Sequence, residues 1–161
     1  MGIYEEIKSK IISPDQASVR FTEAFRKQHR LVFTNGCFDL LHRGHVYYLS
    51  HARELGDLLV VGLNSDASVS RLKGPGRPVN TEQSRAEVLG ALTAVDHIII
   101  FSEDTPIDLI RSLKPHVLVK GGDYKKEEIV GYREVVSWGG EVVTIPLLEG
   151  FSTTSMIKKS R

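Results

Sequence analysis

Five short apolar runs rich in β-branched residues, at 31–34, 58–63, 97–101, 117–119 and 141–145, recur along the chain, with stretches long enough for helices between them. Antiparallel neighbours can be joined by a tight turn, whereas parallel strands need a crossover of a dozen or more residues. The alternation therefore selects right-handed βαβ units and a parallel sheet covered on both faces. The expected fold is α/β: a Rossmann-like, doubly wound domain with a five-stranded parallel sheet. Ligands of such sheets bind outside the carboxyl ends of the strands where strand order reverses, so the loops after strands one, four and five matter most.

The helices can be placed coarsely. One over about 44–54 carries Val46, Leu49, Ala52 and Leu55 at i, i+3 spacing as its expected buried stripe. Others begin at Asp66, after the N-cap residue Thr81, and after Pro106, Lys125 and Ser152. Lys73-Gly74-Pro75-Gly76-Arg77-Pro78 combines breakers and cations, which predicts a mobile basic loop. The polar residues 1–25 predict one or two short helices, an extension outside the sheet ahead of a single domain over 26–161.

Composition narrows the function. The chain has 161 residues, 41% hydrophobic and 25% charged, enough for one domain with one core. Lys and Arg number 21 against 20 Asp and Glu, a net charge of +1. No global field exists to hold nucleic acid or an acidic membrane, so any anion must be bound by a local site. Cys37 is the only cysteine, which excludes an internal disulfide framework and a thiolate metal cage and fits a reducing, cytoplasmic setting. No run approaches the ~18 apolar residues of a membrane span, and the N-terminus lacks the apolar core of an export signal.

Three segments could carry chemistry. The first runs from Thr34-Asn35-Gly36-Cys37-Phe38-Asp39 to His42-Arg43-Gly44-His45, a strand leading through a turn into a helix start. Gly36 and Gly44 let backbone approach a ligand, and first-turn amides attract anions. His42 and His45, three residues apart, fall on one helix face and can both donate to one phosphate. Zinc binding is the rival reading; it needs further protein ligands, and none is visible. The second segment, Glu149-Gly150-Phe151-Ser152-Thr153-Thr154, opens another helix with consecutive hydroxyls that either cap it or face a phosphate. The third is Lys120-Gly121-Gly122-Asp123-Tyr124, at the end of a buried strand.

Taken together these residues resemble the HxGH nucleotidyltransferase superfamily, with its glycerol-3-phosphate cytidylyltransferases and pantetheine-phosphate adenylyltransferases. Residues 35–45, 72–79, 119–124 and 150–154 are most similar to the D-glycero-β-D-manno-heptose 1-phosphate adenylyltransferase family, over roughly 28–159. Only a short stretch precedes that region, so the resemblance is to the stand-alone form rather than to one fused behind a sugar kinase. It implies AMP transfer from ATP to a sugar 1-phosphate, giving ADP-heptose and pyrophosphate for lipopolysaccharide core synthesis after a separate kinase and phosphatase have acted. It also implies Mg²⁺ carried by the nucleotide phosphates and a homodimer.

By matching position, His42, His45 and Lys73 take the catalytic roles, and Ser152, Thr153 and Thr154 hold the β- and γ-phosphates. Thr34, Asn35, Gly36, Phe38, Gly44, Lys120, Gly121, Asp123 and Tyr124 form the nucleotide pocket. Asp39, Asp66, Arg77 and Arg85 are candidates for the acceptor side. The chain departs from cytidylyltransferases where they carry an Arg-Thr pair: here Leu147 and Leu148 precede Glu149. A second cytidylyltransferase Arg is Thr93 here. Both changes favour adenine in an apolar slot over cytosine. The alternatives are a glycerol-3-phosphate or other alditol-phosphate cytidylyltransferase and a nucleotide-binding regulatory module without turnover.

Overall fold

Three short helices, α1 (Ile3–Ser9), α2 (Pro14–Arg20) and α3 (Glu23–Gln28), lead into β1 (Leu31–Gly36) in the computed structural model, which describes residues 1–160. The chain continues through α4 (Arg43–Arg53), β2 (Leu58–Asn64), α5 (Asp66–Lys73), α6 (Glu82–Gly90) and β3 (His97–Phe101). It closes with α7 (Ile107–Leu113), β4 (Val117–Gly121), α8 (Tyr132–Ser137), β5 (Glu141–Ile145) and α9 (Thr153–Ser160). After Lys125 there is only a 3₁₀ turn at Lys126–Glu128 before α8 begins beyond Gly131. Among the described residues no helix is long and apolar enough to cross a membrane.

The five strands form one parallel sheet in the order β3-β2-β1-β4-β5, the doubly wound arrangement expected from the alternation. Period-2 geometry divides the strand side chains between two cores. Leu31, Phe33 and Leu118 pack with α7, α8 and the N-terminal segment. Val32, Val117 and Val119 pack with α4 and α6 on the other face. Every residue of β2 is buried, as a strand covered on both faces requires.

Two expectations change here. Residues 1–25 are helical but do not stand apart: Ile12, Ala17 and Phe21 are buried in the same core as Phe33 and Ile110. Ile12 N–H donates to the Ile98 carbonyl and Ile98 N–H to that of Lys10, both at 2.9 Å, extending the sheet beside β3. Three apolar residues scattered through a polar segment are too sparse to read as a stripe, which hid this packing. In α4 the buried residues are Tyr48, Leu49 and Ala52, while Val46 is exposed. The helix is rotated so that the Tyr48 hydroxyl reaches polar partners at the sheet.

Candidate active site

Strand order reverses between β1 and β4, whose following connections leave toward opposite sides of the sheet, and a cleft of about 760 Å³ opens over their carboxyl ends. Asn35 and Gly36 of β1, Lys120 and Gly121 of β4, the starts of α4 and α9, and Lys73 at the end of α5 all line it. The loops after strands one, four and five therefore meet as the topology demanded.

His42 is the N-cap residue of α4. Gly44 N–H donates to His42 Nδ1 at 3.1 Å, and His42 N–H donates to His45 Nδ1 at 3.3 Å. A backbone N–H can only donate, so each ring nitrogen receiving one is unprotonated. Each neutral imidazole therefore carries its proton on Nε2. The ring centroids are 3.9 Å apart. Burial pushes the His42 pKa down. Burial, helped by the charge of His42, brings that of His45 to about 4. Near neutral pH the site thus presents two neutral N–H donors at a helix start, both oriented by backbone.

Local sequence makes this geometry possible. A Cβ on Gly44 would lie 2.9 Å from the His42 ring and 3.1 Å from Phe151 Cβ, so only glycine lets that imidazole fold back over the first turn. Phe38 adopts a left-handed backbone conformation, with φ of 45°, and packs its ring against His45 at 5.3 Å. A non-glycine residue held there is over-determined by its surroundings. Beneath, Thr34 Oγ1 and Tyr48 Oη share one hydrogen bond at 2.5 Å, and the hydroxyl that accepts it is free to donate its own proton to the Val119 carbonyl, 3.0 Å from Thr34 and 3.1 Å from Tyr48. That buried contact ties α4 to β1 and β4.

The start of α9 faces the same cleft. Ser152 Oγ accepts from Ser155 N–H at 3.0 Å, an N-cap, and Thr153 Oγ1 donates to the Leu40 carbonyl at 3.1 Å. Ser152, Thr153 and Thr154 all line the cleft. Phe151 lies 6.0 Å from the His42 ring and beneath the Arg43 guanidinium. Leu147, Leu148 and Tyr124 give the β4–β5 end an apolar wall. Lys120 stands at that end with its ammonium 5.8 Å from the Tyr124 ring, and burial pushes its pKa down, with Lys73 adding to the effect.

Four of the residues singled out from sequence lie elsewhere. Thr34 is fully buried below the cleft floor, its hydroxyl already engaged. Asp123 is exposed outside the lining. Arg85 is buried in the core, not on an acceptor surface: its guanidinium donates to the carbonyls of Asn80, Cys37 and Asn64 and to Asp66 Oδ1. Asp66, its partner, borders a separate small pocket beside the basic loop. The Arg85–Asp66 pair ties the ends of β1 and β2 together. The cleft also includes residues that sequence reasoning missed, among them Cys37, Leu72, Thr105, Pro106, Ile129 and Val130. Of the missed side chains only Tyr48 carried a signal, lying three residues beyond His45 on the same helix face.

Comparisons with known proteins give the chain's family. The family model described as cytidylyltransferase-like matches residues 33–159. The chain is 53% identical over 156 residues to the bifunctional protein HldE of Pelobacter propionicus, covering 97% of this chain and 32% of that protein. It is 61% identical over 138 residues to HldE of Nitrobacter hamburgensis, covering 85% and 28%. The chain thus spans about a third of the length of these relatives. Among solved structures, the lipopolysaccharide core biosynthesis protein of Thermoplasma volcanium superposes with a TM-score of 0.61 at 29% identity, covering 74% of this chain and 97% of that one. Pantoate-beta-alanine ligase of Francisella tularensis, at 15% identity and a TM-score of 0.59 over 91% of this chain and 75% of that one, shares the fold alone.

Proposed function

The chain belongs to the cytidylyltransferase-like family, and from that premise we propose that it transfers AMP from ATP to D-glycero-β-D-manno-heptose 1-phosphate, releasing pyrophosphate and ADP-heptose. The observation that carries this reading is the His42–His45 pair, two neutral imidazoles whose backbone contacts leave both Nε2–H groups as donors at a helix N-terminus. Leu147 and Leu148 in the wall favour adenine over cytosine. The relatives' description as bifunctional, with this chain matching under a third of their length, is what one catalytic half of a two-activity protein would give. The name of the Thermoplasma relative supports lipopolysaccharide core synthesis as the setting.

A sugar 1-phosphate oxygen is anionic near neutral pH, so attack needs no general base. It bonds to the α-phosphorus in line as the bond to the pyrophosphate oxygen breaks. The charge that gathers on the α-phosphoryl oxygens falls to the two Nε2–H groups, the α4 amides and Lys73, while the α9 start and Ser152–Thr154 receive the leaving pyrophosphate. Among the described residues no group of three or more His, Cys, Asp or Glu is placed to hold a metal ion. Mg²⁺ belongs to this proposal as the counter-ion of the ATP phosphates, whose charge it shares. A cytoplasmic homodimer acting after a separate kinase and phosphatase completes it.

Pyrophosphate release measured with ATP or CTP, crossed with heptose 1-phosphate or glycerol 3-phosphate, tests the reading directly. The expected result is turnover with ATP and the heptose alone. Preference for CTP and glycerol 3-phosphate would replace it with the cytidylyltransferase reading. Tight ATP binding without pyrophosphate release for any acceptor would replace it with a regulatory module.

A further inference from the structure

One buried carboxylate joins the histidine turn to the basic loop. Asp39, its side chain 1% exposed, accepts from Arg77 Nε and from the Val79 amide, each at 2.8 Å, and from the Asn80 amide at 3.0 Å. Asn80 Nδ2 adds a bond to the Asp39 carbonyl at 3.1 Å. Burial alone would push this carboxyl up, but the Asn80 and Val79 amides with the Arg77 guanidinium outweigh it and hold the pKa below the usual carboxylate range. Asp39 is therefore a fully occupied anion, not a free contact for an acceptor as its sequence position suggested.

Arg77 is the reverse case. Only its Nε is engaged; among the described residues nothing accepts from Nη1 or Nη2. No buried side-chain nitrogen lacks a partner, so both of those atoms reach solvent. The side chain is 18% exposed and lines the cleft. A guanidinium gripped at Nε with its forked end open is arranged to take two phosphate oxygens at once.

The turn over 38–41 shows which phosphate. Its Leu40 carbonyl accepts from Thr153 at the start of α9, the helix after β5, and its Asp39 carboxylate accepts from Arg77 in the loop between α5 and α6, in the β2–β3 connection; β5 and β2 lie on opposite sides of β1 in the sheet. In-line displacement requires the attacking and leaving oxygens on opposite sides of the phosphorus. With pyrophosphate at α9, attack comes from the Arg77 side. We propose that Arg77, oriented by Asp39, binds the phosphate of the acceptor. This rests on the transferase reading above. The ion pair is neutral as a unit, so its contribution is direct hydrogen bonding, while Lys73 supplies the attracting charge.

Steady-state kinetics of Arg77→Gln, with ATP and heptose 1-phosphate varied separately, test this. The acceptor KM is expected to rise ~10–100-fold, the worth of charge-assisted hydrogen bonds, with the ATP KM changed by less than about twofold. Arg77→Lys keeps a cation without the fork and should fall between; it also serves if Arg77→Gln misfolds by circular dichroism. Asp39→Asn should raise the acceptor KM in the wild-type background and add nothing to Arg77→Gln, which separates orientation from general destabilisation. An unchanged acceptor KM, or a rise confined to ATP, overturns the proposal while leaving the transferase reading intact. Should wild type fail to use heptose 1-phosphate, the transferase reading fails. The Arg77 site is then read by calorimetric titration of inorganic phosphate into protein loaded with a non-hydrolysable ATP analogue. Weaker binding to the variant supports the site; equal binding, or none to wild type, overturns it.

Discussion

The start of α4 and the start of α9 line one cleft, yet α4 buries Tyr48, Leu49 and Ala52 whereas α9 buries no residue. The first is fixed from below by the Thr34–Tyr48–Val119 contact and from within by its two histidines. The second is tied to that turn by the Thr153–Leu40 hydrogen bond and by Phe151 against His42. A helix that buries little apolar surface opens at low cost, because most helical stability comes from packing. The half of the site to which the proposal assigns the transferring phosphoryl group is thus preformed, and the half assigned to the departing pyrophosphate is the one able to move.

Truncating a packing residue in each helix probes the difference most strongly. Leu49→Ala is expected to destabilise by about 2–5 kcal/mol, the range for emptying a well-packed core site, whereas Ile157→Ala in α9 should cost about 1 kcal/mol or less. Urea denaturation followed by circular dichroism measures both, and equal losses would end the contrast. His45→Ala should keep the fold and lower kcat ~10²–10³-fold, as removing one preorganised donor does. Near-normal pyrophosphate release from a folded variant would remove His45 from the mechanism.

Acid should weaken the preformed half. Below its ordinary pKa of 6.5 an unfolded histidine takes up a proton that folded His45, at about 4, does not. Stability contributed by the buried neutral ring therefore rises with pH from about 4 to 6.5 and is level above it; His42, shifted the same way, adds with the same sign. Thermal unfolding at pH 4.5 and pH 7 should show a smaller drop for His45→Gln than for wild type. The smallest effect is expected at the tether: Thr153→Val removes one hydrogen bond worth about 1 kcal/mol and should raise the ATP KM about fivefold with kcat nearly unchanged. A fall in kcat of the size expected for His45→Ala would mean that α9 is part of the rigid half.

Much of the molecule was legible before folding because the signals are local. Each β-rich run became a strand within a residue or two of its expected limits, and Thr81 capped α6 as expected. The histidine pair met across the first turn of α4, where the N-cap residue His42 donates its backbone N–H to the His45 ring three residues on. Arg85 shows the opposite. A charged residue in sequence reads as surface or site, and nothing local indicates that acceptors from Cys37, Asn64, Asp66 and Asn80 converge to satisfy it in the core. Thr34 was misplaced for a related reason: alternation along β1 turns it toward α4, and only the position of Tyr48 explains where its hydroxyl goes.

What the sequence by itself determined was the menu of elements, the parallel sheet and the two helix starts that meet at its edge, since period, caps and glycine placement act over a few residues. What only the tertiary structure decided was the direction of each polar side chain. Asp39 and Arg77, read as equals from sequence, separate into an occupied anchor and an open fork because one is buried against backbone amides and the other is not. Burial is a property of the packed chain, and it sets which charge is spent on the protein and which is left for a ligand.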